Sequence, residues 1–343
     1  MRYILVCLLC AAMGCSQREA ASSKLETHRS PIINGQVETG YRAVGALALE
    51  TNAGYFGGFC SSTLIDANWV LTAAHCIDGA EEQARELGFS LNPRNVNFVI
   101  APNSNPTVSY GRPANAELYQ ADAIFVHPNY DARAQLQSDD IALIRLRTSV
   151  SGVAPIPIFR GDLTANTGDN LTYVGFGTSN PNSNSANASG IKRRTSLPIY
   201  AVGSASYVSE HNDTGICFGD SGGPGLLMQG STQYVAGVNS TVSGESPTCL
   251  MASNQVRVDA YQTWIDAVMG QTQNCGGDAS LCLCPEACTN DGYCDNTRCG
   301  ELDCSELAQC SANCGNGLCA SSCYARSTRD AKQGYADLAD CAS

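Results

Sequence analysis

Positive charge is scarce in this chain. It carries 20 Lys and Arg against 32 Asp and Glu in 343 residues, a net charge of −12, and only 15% of its residues are charged. That balance argues against nucleic acid or an anionic lipid surface as an electrostatic partner. Long apolar runs are also lacking, since the run from Ile4 to Ala12 is too short to span a bilayer. Helical periodicity is confined to one stretch, Val256 to Met269, where Val258, Tyr261, Ile265 and Val268 share a face and Gly270 ends it. No metal-ligand spacing appears between residues 32 and 270, and no cofactor is expected.

Apolar content, at 43%, is ample for a core, and 343 residues exceed what one core usually serves, so two or more domains are expected. Met1-Arg2-Tyr3 before the short apolar run reads as an export signal over residues 1–14. Its end, Ala12-Met13-Gly14-Cys15, resembles the bacterial lipobox, in which the cysteine is acylated; ordinary cleavage nearby, with Cys15 an incidental thiol, is the alternative. Acylation would tether the protein to a membrane by lipid alone, at the bacterial outer membrane or cell surface. Residues 15–31, polar and without periodicity, read as tether and propeptide. Cysteine is abundant, at 19; setting aside Cys7, Cys10 and Cys15 leaves an even number, and disulfides in an exported setting are the default reading.

The chemistry concentrates in Cys217-Phe218-Gly219-Asp220-Ser221-Gly222-Gly223-Pro224. A nucleophilic serine needs an exposed hydroxyl, a base and N–H groups aimed at the developing oxyanion. Gly219, free of the usual φ limits, lets its own N–H and that of Ser221 point the same way. A base is offered by Leu71-Thr72-Ala73-Ala74-His75-Cys76, and a carboxylate by Asp139-Asp140-Ile141-Ala142-Leu143-Ile144-Arg145-Leu146.

With that order of His, Asp and Ser, and with Ile32-Ile33-Asn34-Gly35 at the start, residues 32 to about 270 resemble the trypsin/chymotrypsin-like serine endopeptidases. The resemblance implies an all-β fold of two six-stranded antiparallel barrels with a C-terminal helix, and a site in the cleft between them. It implies Ser221 as nucleophile, His75 as base, and an oxyanion hole from the amides of Gly219 and Ser221. Asp140, whose following strand matches the family register, would orient His75; Asp139 is its rival. Cys60 would pair with Cys76 and Cys217 with Cys249. A new amine at Ile32 would pair with Asp220 on activation, although Pro31 precedes it and the nearest basic residue is Arg29.

Alignment with that family, counting back six from Ser221, implies Gly215 at the base of the specificity pocket, with Ser240, Val242 and Ser253 along its walls. With no acid at the base and a larger side chain at Val242, a small or medium uncharged residue is expected before the scissile bond; Glu245 in a nearby loop is the alternative source of basic specificity. Ala43 to Leu49, Trp69 to Leu71, Val96 to Ile100, Ile141 to Leu146, Leu171 to Val174 and Tyr234 to Val238 read as strands. Asn180 to Gly190 reads as an exposed loop, Lys192-Arg193-Arg194 as a nicking site, and His28, His127 and His211 as surface residues.

From Cys275 to Cys341 the chain holds twelve cysteines in 67 residues with few large apolar groups, so residues 271–343 read as a small module stapled by disulfides. Cys288 to Cys294 and Cys314 to Cys319 form a weak repeat. Its acids Asp291, Asp295 and Asp303 read as solvated, with Ca²⁺ ligation the alternative. The partners expected overall are a protein or peptide substrate and an activating protease. Two rival functions remain: a catalytically silent binding protein on the same scaffold, and a non-proteolytic acyl hydrolase.

Overall fold

Strands dominate because the apolar residues of this chain come in short runs punctuated by glycine and polar turns, too short for helices to bury. The computed structural model describes residues 32–273 apart from 107–109, 133–138, 181–188, 244–248 and 250. The export signal, Cys15, the tether with Pro31, the cysteine-rich module, most of the Asn/Ser-rich loop and Glu245 lie outside the described residues.

After a two-residue strand, β1 (Gln36–Val37), six strands close the first barrel: β2 (Val44–Thr51), β3 (Gly54–Asp66), β4 (Trp69–Thr72), β5 (Val96–Ile100), β6 (Glu117–Val126) and β7 (Ala142–Leu146). They pair antiparallel in the order β2-β3-β4-β7-β6-β5, with β5 returning to β2. The second barrel comprises β8 (Asn170–Gly175), β9 (Arg193–Val202), β10 (Ser206–Glu210), β11 (Pro224–Gln229), β12 (Thr232–Ser243) and β13 (Ala252–Arg257). Pairing of β8 with both β11 and β9 closes it, and β1 adds to the outer edge of β9. Closure removes the free edges that would otherwise template aggregation. Each barrel has its own interior, Leu47, Leu64, Trp69, Phe98 and Phe125 in the first and Leu171, Tyr173, Leu197, Tyr207 and Leu227 in the second.

All six segments read as strands from the sequence are strands. The helices were read less well. An unexpected helix, α1 (Ala74–Glu86), follows β4 directly. Its buried stripe is Ala74, Ile77, Ala80 and Ala84, correctly spaced but made mostly of methyl groups, so the pattern carries little hydrophobic contrast. At the C-terminus, the expected helix begins later than Val256. Val256 and Arg257 pair with Val238 and Gly237 in β13, a short 3-10 turn spans Asp259–Tyr261, and α2 runs Gln262–Gln273. The periodic residues Val258, Tyr261, Ile265 and Val268 are nevertheless all buried, because turn and helix continue one apolar face.

His127 and His211 are not surface residues but buried ones. The His127 ring meets Tyr261 and Trp264 edge-on at 5.0 and 5.1 Å, so it seats the start of the C-terminal helix against the first barrel. Burial lowers its pKa despite Asp139 nearby. Lys192-Arg193-Arg194 is no exposed nicking site either. Arg193 and Arg194 lie in β9, paired on one side with β1 and on the other with β8. The Lys192 side chain is buried and donates to the carbonyls of Gly40 and Tyr41 at 3.3 and 3.0 Å, and burial pushes its pKa down to about 8.

Candidate active site

His75 is the second residue of α1, placed there by the turn out of β4. Cys76 beside it bonds Cys60 of β3, which fixes the helix start to the barrel wall. Asp140 precedes β7, the strand that pairs with β4. Both first-barrel residues thus come from the ends of neighbouring strands. Ser221 comes from the second barrel, on the loop entering β11, and Cys217 of that loop is bonded to Cys249.

The Asp140 carboxylate is fully buried and has three partners. It accepts from His75 Nδ1 at 2.7 Å, from the His75 backbone N–H at 2.8 Å and from the Ser240 hydroxyl at 2.6 Å. A carboxylate can only accept, so Nδ1 carries the hydrogen and a neutral ring keeps Nε2 as acceptor. Asp139 points elsewhere: with φ at 58° it turns away and accepts from the Tyr261 hydroxyl at 2.8 Å. Two adjacent acids in sequence therefore serve opposite sides of the chain.

His75 and Ser221 open onto one cavity of about 300 Å³, whose other walls include Phe218, Asn239, Ser240 and Val242. In the loop before it, the N–H groups of Asp220, Gly222 and Gly223 are used by the carbonyls of Cys217, Asn239 and Asp220. Among the described residues, no carbonyl takes the N–H of Gly219 or Ser221. Gly219 has a φ of 92°, the left-handed region that its lack of a side chain permits.

Ser61 of β3, which sequence reasoning passed over, stitches this loop to the first barrel. Its N–H donates to the Ser221 carbonyl at 2.8 Å, and its hydroxyl donates to the Gly219 carbonyl at 2.9 Å while accepting from Phe176 N–H at 3.0 Å. Nothing local in the sequence marks this serine, because the partners of its N–H and hydroxyl are all more than a hundred residues away.

Asp220 is buried beneath the loop. It accepts from the N–H groups of Gly177 and Cys217 at 2.8 and 2.9 Å, and no cation faces it among the described residues. Burial pushes its pKa up to about 7, the two amide bonds pulling the other way. Ile32 is fully buried, and the next N–H, of Ile33, donates to the Gly215 carbonyl at 2.8 Å.

Of the four residues expected to shape the specificity pocket, Ser240 and Val242 line the cavity. Gly215 and Ser253 are buried and do not belong to its walls. Phe218, 61% exposed at the rim, and Asn239 are lining residues that the sequence did not single out. The one group of metal-ligating residue types among the described residues is Cys60, His75 and Cys76, and its two sulfurs are joined as a disulfide.

A family model described as Trypsin matches residues 32–265. Fibrinolytic enzyme, isozyme C, of Lumbricus rubellus is 27% identical over 243 residues, covering 64% of this chain and 92% of the relative. Chymotrypsin-like elastase family member 1 of Felis catus is 31% identical over 232 residues, covering 61% of this chain and 78% of the relative. CLIP domain-containing serine protease B10 of Anopheles gambiae is 31% identical over 190 residues, and the chain spans about half of its length, 51%.

Proposed function

The chain belongs to the trypsin family and is a serine endopeptidase, and from that premise we propose that Ser221, His75 and Asp140 are its catalytic triad. The observation that carries this reading is the Asp140 carboxylate, buried and bonded to His75 Nδ1, with the same imidazole and Ser221 facing one cavity. Ser221 Oγ attacks the scissile carbonyl carbon as His75 Nε2 takes its proton. The oxyanion is held by the N–H groups of Gly219 and Ser221, and collapse expels the amine with the proton returned from His75. Water, activated by the same imidazole, then attacks the acyl-enzyme and frees Ser221. Asp140 keeps the imidazole in the accepting tautomer and stabilises the imidazolium.

The residue before the scissile bond is small or medium and uncharged, since the cavity walls that receive it are Ile216, Ser240, Thr241 and Val242 without a charged group. The enzyme is made as a zymogen. Cutting before Ile32 by an activating protease frees an amine that pairs with Asp220 and locks the loop carrying Gly219. A buried carboxylate without its cation is costly by several kcal/mol, which supports the need for that amine. Residues 1–14 direct export, Cys15 carries a lipid anchor at a bacterial surface, residues 15–31 are tether and propeptide, residues 32–270 the protease domain, and residues 271–343 a separate disulfide-rich module.

The test is the intact mass of the natively exported protein before and after a fluorophosphonate probe. One adduct on a species starting at Ile32, absent from Ser221→Ala, is the expected result. No adduct on a correctly trimmed, folded species would overturn the triad and favour a silent binding protein.

A further inference from the structure

Gly215 and Ser253, both outside the cavity walls, lie against one side chain, His211. A side chain on Gly215 would begin 2.2 Å from Nδ1 of His211, 2.7 Å from its Cγ and 2.8 Å from its Cε1, so the imidazole occupies the space such a side chain would enter. The ring is held at both nitrogens. Nδ1 lies 2.8 Å from the Cys249 carbonyl, which only accepts, so Nδ1 carries the hydrogen. Nε2 lies 2.8 Å from the Ser253 hydroxyl, and the Gln255 carboxamide meets the same hydroxyl at 2.6 Å. Burial lowers the His211 pKa, which agrees with the neutral form.

We propose that His211 is the specificity-determining floor of the substrate pocket, filling with its ring the depth between Gly215, Cys249 and Ser253 and so restricting the residue before the scissile bond to short side chains. The proposal deepens the pocket reading above and rests on Ser221 being the nucleophile. It replaces a depth set by Val242 and Ser253 with a depth set by a ring that neither residue reveals. Hydrogen bonds at both ends of the ring make it a fixed floor, because swinging it away would strand the ring N–H and the Cys249 carbonyl in a buried space. A long P1 side chain therefore cannot displace the ring cheaply.

The experiment is a P1 series of otherwise identical peptide amides read as kcat/KM on the activated full chain. The wild type is expected to prefer Ala, Val and Thr over Met, Gln, Leu and Phe by at least tenfold; equal turnover of long and short side chains would overturn the proposal without any variant. His211→Gly is expected to raise the Met-to-Ala and Gln-to-Ala ratios at least tenfold, by opening a slot about one ring deep. An unchanged profile in a variant that the fluorophosphonate probe labels at the wild-type rate would also overturn it. If the glycine variant does not fold, His211→Asn, which retains a hydrogen-bonding group in a shorter side chain, is expected to shift the ratios the same way by a smaller factor. Failure of the triad reading looks different: the activated wild type would then not react with the probe at all.

Discussion

At the residue scale, the pair Asp139-Asp140 shows how one peptide bond separates two unrelated roles. Asp140 meets His75 and Ser240, while Asp139 meets Tyr261. Asp140→Asn is expected to lower kcat by about 10,000-fold with KM little changed, because an amide stabilises the wrong imidazole tautomer. Asp139→Asn keeps an acceptor for the Tyr261 hydroxyl and is expected to leave kcat within about threefold of the wild type, the difference of a bond remote from the reacting atoms. Steady-state kinetics on the two variants, prepared side by side, checks both statements. Loss of activity in Asp139→Asn with retention in Asp140→Asn would reverse the assignment. The aspartate that the family register favoured is the one hydrogen-bonded to the imidazole, and the register alone could not say where its neighbour turns.

At the scale of elements, the loop that carries Ser221 depends on contacts from both barrels. Gly222, at φ 77°, lies so close to β4 that a Cβ there would fall 2.1 Å from Thr72 Oγ1 and 2.5 Å from the Ser61 carbonyl oxygen. Gly222→Ala is accordingly expected to cost more than about 1 kcal/mol in stability, the combined effect of a left-handed residue and a clash with backbone. Thermal unfolding of the Ser221→Ala background with and without this change isolates that cost from self-digestion. The bond from Cys60 to Cys76, separated by 16 residues, closes the first turn of α1 onto β3. Replacing both by serine is expected to remove about 3 kcal/mol, the loop-closure entropy of a ring that size, and to lower activity through looser placement of His75. Urea unfolding measures the first and kcat the second. The pairing was legible in the family resemblance, but α1 itself was not, since a stripe of alanines looks much like the background of a chain rich in small residues.

At the scale of the whole molecule, the barrels carry the two halves of the site, and Asp220 is the proposed acceptor of the amine freed on activation. Its pKa in the folded, uncut chain is about 7 against an ordinary value of 3.8. The folded state therefore binds more protons than the unfolded state between those two values, so stability is greatest below the lower one and falls as pH rises through the higher. The full loss corresponds to about 4 kcal/mol at 1.36 kcal/mol per unit. Uncut protein is expected to lose melting temperature as pH rises from about 4 to about 7, whereas a chain beginning at Ile32, with its amine paired to Asp220, is expected to lose much less. Melting curves for the two forms over that range, both carrying Ser221→Ala, make the comparison. Parallel curves would remove Asp220 as the acceptor of the amine.

The Ser221 loop, the order of His75, Asp140 and Ser221, and six of the strands were readable in the sequence, the roles of the three residues through the family resemblance, because each rests on local signals: glycines where a loop must bend, a short apolar run where a strand must bury one, a histidine placed by its neighbours. The fold class followed from the same signals and the family resemblance. What no local pattern carried is which polar groups end up inside. His127, Lys192 and His211 stand in stretches that look solvated, yet all are buried: the His127 ring packs edge-on against distant Trp264, while Gly40 and Ser253, also distant in sequence, hydrogen-bond Lys192 and His211. Ser61 is the same case at the site itself. Burying a polar side chain is tolerable only where its hydrogen bonds are met, and here those bonds are met by groups that closing a barrel or packing two barrels together brings near. Tertiary structure therefore decided which of these polar groups are buried and how the Ser221 loop is stitched to the first barrel.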